Sequence, residues 1–102
     1  MDRIRIAAAV AALAVALTAC GGSTEGLLGQ ELYERSCGAC HARDGSGGSG
    51  PPLNEGSNAE SLTDDQLAGA ITVGPGTMPS FDRLIGEQVD SLVQNMSRLQ
   101  SP

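Results

Sequence analysis

Cys37-Gly38-Ala39-Cys40-His41 is the stretch on which the reading of this chain turns. Two cysteines separated by two residues, with histidine directly after the second, have the spacing of a c-type haem attachment site. The reason is geometric. On one helical turn, residues at i and i+3 project to the same side, so both sulfurs reach the vinyl groups of one porphyrin and His41 turns its imidazole towards the iron. Two other chemistries use cysteines at this spacing. A thioredoxin-type pair belongs to a βαβ unit, and no segment here reads convincingly as a strand. A structural zinc ion needs four ligands, whereas the chain has 1 histidine and 3 cysteines, one of them with a separate use.

That cysteine lies upstream, at the end of an export signal. Met1 to Ile6 carry Arg3 and Arg5, and Ile6 to Ala19 is apolar apart from Thr18. A basic segment before an apolar one of this length is a secretory leader; a spanning helix needs about 20 apolar residues. An uncleaved anchor and a buried core helix are the alternatives. The leader ends Leu17-Thr18-Ala19-Cys20, which resembles the lipobox of bacterial lipoproteins and predicts lipidation of Cys20. Ordinary cleavage leaving Cys20 a free thiol is the competing outcome. The expected organisation is a lipoprotein signal peptide over 1–19, an acylated cysteine and flexible tether over 20–26, and one domain over 27–102. A six-residue tether, Gly21 to Gly26, has a root-mean-square reach of roughly 13 Å. Export also suits the motif, because c-type haem is attached after secretion.

The whole chain carries a formal charge of −6. Removing 1–19 takes away Asp2, Arg3 and Arg5 and leaves −7. There is no lysine. An acidic, lysine-free surface excludes a nucleic-acid partner, whose phosphates call for cationic neutralisation. It also excludes electrostatic adhesion to anionic lipid. A P-loop requires its lysine, so the glycines near 45–50 are no phosphate cradle. The same chain has 1 Tyr, 1 Phe and no Trp, little from which to build a core at this size. A Cys37–Cys40 disulfide would close no useful loop. A cofactor is left to supply apolar area and cross-links.

The coarse pattern is all-α. A first helix is expected over about Leu27–Ser36, with Leu28 and Leu32 at helical spacing and Gly29 and Tyr33 on one face. Ala42 to Ser61 is rich in Gly, Ser and Pro and reads as loop. Thr63 with Gln66 forms a capping box, Asp64 and Asp65 suit the positive helix end, and Gly74-Pro75 stops the helix. A last helix is expected over about Glu87–Leu99, with Val89, Leu92, Val93 and Met96 inward and Asp90, Gln94 and Asn95 outward.

Opposite His41, a second iron ligand is found by elimination. There is no other histidine, Met1 leaves with the leader, and Met96 belongs to an apolar helix face. Met78, in irregular chain past Gly74, is the candidate. Met/His ligation raises the reduction potential relative to bis-His. A six-coordinate iron points to electron transfer rather than oxygen chemistry.

Taken together, Gly26 to Leu99 resembles the small bacterial class I cytochromes c, of the monohaem, membrane-anchored lipoprotein type. The resemblance rests on four pieces in order: Gly29-x-x-x-Tyr33, Cys37 to His41, Gly50-Pro51-Pro52-Leu53, and Gly74 to Phe81 with its Met78-Pro79. It implies three main helices and loops wrapped around one covalently bound haem. The first and last helices cross, and the Pro51 carbonyl orients the haem histidine. The aromatic that this family often carries on its last helix is absent; Asn95 stands near its place. Arg43 is either a propionate partner or a solvated surface arginine. The implied function is one-electron transfer without a catalytic residue, by a monomer, on the outer face of a membrane. The implied partners are a quinol–cytochrome c reductase and a terminal oxidase. A haem-based ligand sensor and an electron-entry subunit fixed to one enzyme are the alternatives. Because the core is sparse, replacing both Cys37 and Cys40 by Ser is expected to leave the domain largely unfolded, as far-ultraviolet circular dichroism would report.

Overall fold

A computed structural model describes residues 23–102; the leader and Cys20 lie outside the described residues. Those residues form an all-α domain without strands: α1 (Gly29–Ser36), a single-turn α2 (Gly38–His41), a 3₁₀ turn (Asn58–Ser61), α3 (Asp64–Val73) and α4 (Gly86–Leu99). No helix among them is long and apolar enough to cross a membrane. α4 packs on both α1 and α3, and α2 follows α1 directly. The core gathers Leu32, Tyr33 and Cys37 from α1 and its end, Leu67 and Ile71 from α3, and Val89, Leu92, Val93 and Met96 from α4. The 3₁₀ turn lies within Ala42–Ser61, a stretch expected to be loop, because four residues give too little periodicity to read.

The first helix begins later than its spacing suggests. Leu28 is extended (φ −137°, ψ 160°) and caps α1 without being part of it. It stays 43% exposed, and Leu32 with Tyr33 does the burying. Gly29 takes a left-handed φ of +58°, although a Cβ there would meet nothing within 4 Å. Its glycine serves the backbone turn into α1, which glycine makes at no steric cost. The Gly29 N–H freed by that turn donates to Ser91 Oγ on α4 at 3.0 Å.

Where α1 crosses α4, the contact is polar as well as apolar. Asn95, expected to face outward, is buried, and its Nδ2 donates to Gln30 Oε1 at 2.8 Å. Arg98 reaches the same oxygen at 3.2 Å. Gln88 is buried too, bonded to the chain entering α1. Both polar side chains interrupt a stripe that otherwise runs as expected. Each is buried because a partner on the facing segment completes it, which a single-helix pattern does not reveal.

α3 follows the local signals closely. Thr63 Oγ1 accepts from Gln66 N–H at 3.2 Å, and Gln66 Oε1 accepts from Thr63 N–H at 2.9 Å. Gly74 ends the helix in the left-handed region at φ 73°. A Cβ on Gly74 would fall 2.6 Å from the Met78 carbonyl oxygen, so only glycine lets the next loop fold back. That loop then caps α3: Phe81 N–H donates to Ile71 O at 3.0 Å, and Ser80 Oγ to Thr72 O at 2.7 Å.

Tyr33 ties α1 to the chain after α2. Its hydroxyl donates to the Ala42 carbonyl at 2.7 Å. Burial, then negative charge at Cys37 and Asp44, pushes that hydroxyl up to about 12 from 10. The neutral phenol is the form favoured on folding. Its contribution is therefore complete below pH 10 and lost as pH rises through about 12. Tyr33→Phe is expected to lower the unfolding free energy by about 1–3 kcal/mol at neutral pH, the cost of an orphaned buried carbonyl. It should also flatten the alkaline fall in stability above pH 10, read by urea denaturation across pH.

Candidate haem site

α1 and α2 meet at Cys37, whose backbone departs from helical geometry (φ −122°, ψ −30°). The turn closes on its carbonyl: Cys40 N–H and His41 N–H both donate to Cys37 O, at 3.2 and 3.0 Å. Cys37, Cys40 and His41 thus share one turn. Both cysteines are free thiols; Cys37 is buried and Cys40 exposed. Burial, then the neighbouring Cys40, pushes the Cys37 thiol up to about 11. Cys37 is therefore protonated at neutral pH and a poor nucleophile for a disulfide.

Beyond the turn, the glycine-rich loop folds back over His41. Gly47 N–H donates to the His41 carbonyl at 2.9 Å and Gly50 N–H to that of Cys40 at 2.8 Å. These bonds satisfy the last carbonyls of α2, which no helix residue can reach. The reversal begins at Ala42, whose φ of 66° and ψ of 157° lie in a region glycine alone occupies freely, at a cost of about 1–3 kcal/mol. Ala42 is held there because its carbonyl accepts from Tyr33 Oη and, at 3.1 Å, from Gly45 N–H. Asp44 closes the outer corner. Hydrogen bonds from the Ser46 side chain and backbone hold its carboxyl below the usual range.

The loop grips the imidazole on two sides. His41 is 8% exposed, and its Nδ1 lies 2.7 Å from the Pro51 carbonyl oxygen. That oxygen only accepts, so Nδ1 carries the proton, and in the neutral ring Nε2 keeps its lone pair. Against the ring lies Gly50, where a Cβ would sit 2.7 Å from His41 Cε1 and 2.9 Å from Nδ1. A buried imidazole with Nδ1–H held by a backbone carbonyl and Nε2 without a protein partner among the described residues is the preparation of a metal ligand.

Cys37, Cys40, His41 and Pro51 are thus brought together. Met78 is half-buried in the loop after α3, with its N–H on the Pro75 carbonyl at 3.1 Å. No hydrogen bond among the described residues joins that loop to the Pro51 loop. Arg43 is largely exposed and pairs with Glu34, a solvated ion pair of little energetic weight.

Three observations test whether these residues suit a haem. The two thiols and one imidazole are presented on one turn. The imidazole is oriented with its free nitrogen available. Two buried hydroxyls, Ser36 Oγ and Ser57 Oγ, have no hydrogen-bond partner among the described residues, a state that costs about 1–3 kcal/mol unless another group completes it. No group of three His, Cys, Asp or Glu side chains converges as a metal site among the described residues, so a protein-only zinc site has no ligand set. The residues fit the group.

A small all-α domain presenting a Cys-x-x-Cys-His turn beneath a proline carbonyl defines the class of cytochrome c domains. A family model described as cytochrome C oxidase, cbb3-type, subunit III matches residues 25–96, and the chain belongs to that family. As a cytochrome c domain it serves haem-based electron transfer. No curated protein matches the chain.

Gly50→Ala tests the grip on His41. The added methyl cannot be placed without moving the ring or the loop. The expected result is a loss of about 1–3 kcal/mol in unfolding free energy, as for an overpacked site, and displaced ring-proton resonances of His41 in NMR spectra.

Proposed function

We propose that this chain is a one-electron carrier with one covalently attached c-type haem. In this reading Cys37 and Cys40 give their thiols to thioether links, His41 and Met78 are the axial ligands, and Cys20 is lipidated. The carrier is then a monomer tethered to the outer face of a bacterial membrane, after loss of residues 1–19. The observation that carries the reading is the state of His41, buried with Nδ1 pinned by Pro51 and Nε2 without a protein partner among the described residues.

When bound, the haem supplies an iron that takes up and releases one electron. What the chain contributes is position and environment. The Pro51 carbonyl and Gly50 hold the imidazole in one tautomer and one orientation. Burial disfavours the thiolate of Cys37. Met78 brings an uncharged sulfur from a loop whose shape Gly74 permits. With His41 and Met78 both holding the iron, no position would be left for a substrate, and the reading assigns no catalytic residue.

The surface around these loops supports docking of another protein. Ser46 to Asn54 and Leu67 to Phe81 contain no charged residue, and the acidic side chains lie outside them. A partner with an apolar centre and a basic rim fits that pattern. Membrane redox complexes such as a quinol–cytochrome c reductase and a terminal oxidase are the partners proposed. The family's description as an oxidase subunit also favours a second reading, in which the carrier is fixed to one oxidase. Co-purification with a single large complex at high salt would support the fixed form; release at high salt would support a shuttle.

Intact mass and haem staining, on protein from a host competent in haem attachment, test the central claim. The expected mass carries one haem, and a mass without it rejects the reading. In Met78→Ala the weak methionine–iron charge-transfer band of the ferric protein should vanish and the reduction potential should fall. Rapid carbon monoxide binding by the unaltered ferrous protein would favour ligand sensing instead.

A further inference from the structure

The chain does not enter the domain loosely. Gln88 on α4 is 6% exposed, and its Nε2 donates to the carbonyls of Thr24 at 2.7 Å and Leu27 at 3.2 Å. Its Oε1 accepts from Ile85 N–H at 3.2 Å. Arg35 Nη1 adds a bond to Ser23 O at 3.0 Å, and Leu27 N–H returns to Thr24 O at 3.1 Å. Ser23 to Leu27, expected from composition to be mostly flexible tether, is stapled to the last turn of α1 through Arg35 and to the first turn of α4 through Gln88. Only residues 21 and 22 then separate Cys20 from the bound chain. Three residue steps span at most about 10 Å.

Around the staple lies a cleft of about 430 Å³, lined in part by Thr24, Leu28, Arg83, Ile85 and Gln88. Leu28 is 43% exposed and Ile85 61% exposed at this end. Glu25, Glu87 and Arg83 also line the cleft, two acids and one base. The His41 loop is at the other end of α4. Gln100, just past the helix, donates through Nε2 to the Leu53 carbonyl at 3.1 Å, and a Cβ on Gly45 would touch Leu99 at 3.3 Å. The 14 residues of α4 separate the two ends by about 20 Å at 1.5 Å per residue.

We infer that the stapled end is a membrane-contact face, with Leu28 and Ile85 seated in the lipid headgroup layer and the His41 loop at the opposite end of α4. The inference rests on the reading of Cys20 as lipidated. With a lipid on Cys20 and so short a link, this face has no room to leave the bilayer surface. The contact is apolar, since an acidic protein gains nothing from anionic lipid, and it is therefore insensitive to salt. It fixes the orientation of the domain, so a partner in the same membrane must reach up to the His41 loop.

The test uses the full, processed holoprotein in phosphatidylcholine vesicles that carry a diazirine in the headgroup region, with crosslinks mapped by mass spectrometry. Labelling of residues 24–30 and 83–88 is expected to exceed that of residues 45–54 by about tenfold, as for side chains held at the headgroup boundary. It should be the same at low and high salt. Leu28→Ser combined with Ile85→Ser should remove most of that excess. Both side chains are exposed, and Ser at an N-cap position favours the helix, so the double variant folds. Equal or heavier labelling of 45–54, with diacylglycerol present in the intact mass, overturns the face and leaves the anchor standing. Labelling at 24–30 and 83–88 by a separate protein rather than lipid also overturns it. A mass without diacylglycerol overturns the anchor, and the face with it.

Discussion

One hydrogen bond organises the functional half of this domain: the Nδ1 of His41 on the Pro51 carbonyl at 2.7 Å. To form it, the chain must reverse within ten residues of the histidine and bring a bare backbone against the ring. The reversal needs the left-handed Ala42, clamped by Tyr33. The close approach needs Gly50, because any side chain there would enter the imidazole. The loop glycines in turn close the end of α2 by taking its carbonyls. Tyr33 is part of the helical core, so the orientation of one imidazole is coupled to the packing of α1 on α4.

The apolar supply of the chain is small, and the structure shows how it is stretched. One Tyr is fully buried and also makes a hydrogen bond. The crossing of α1 and α4 is completed by Asn95, Gln30 and Gln88 where other sequences would spend large apolar groups. Such polar contacts contribute about 1 kcal/mol each when satisfied and cost more than that when broken. They give the helix pair a defined register rather than added bulk.

Much of this was legible in the sequence, and the reasons are local. The attachment turn, the Thr63–Gln66 box, the Gly74 stop and the Val89–Met96 stripe are short-range patterns, set by spacing along one element. The roles of Asn95 and Gln88 were not legible, since each is buried by a partner more than sixty residues away. The 3₁₀ turn at Asn58–Ser61 was too short to register as periodicity. Leu28 reads as core by spacing, yet the extended backbone before Gly29 turns it outward. Gly29 shares a face with Tyr33 by spacing, and its N–H meets Ser91 on α4. The need for glycine comes from φ instead.

The staple at Gln88 moves the point at which the domain begins. By composition the folded unit starts near Leu27, and a recombinant fragment cut there would look complete. It would lack the Thr24 carbonyl that takes the shorter of the two bonds from Gln88 Nε2, and the Ser23 carbonyl bound by Arg35. The buried amide would then keep only its longer bond, to the Leu27 carbonyl at 3.2 Å, at the entrance to α4. The smallest self-sufficient fragment therefore starts at Ser23 or earlier, and a fusion partner or affinity tag belongs upstream of it or at the other terminus.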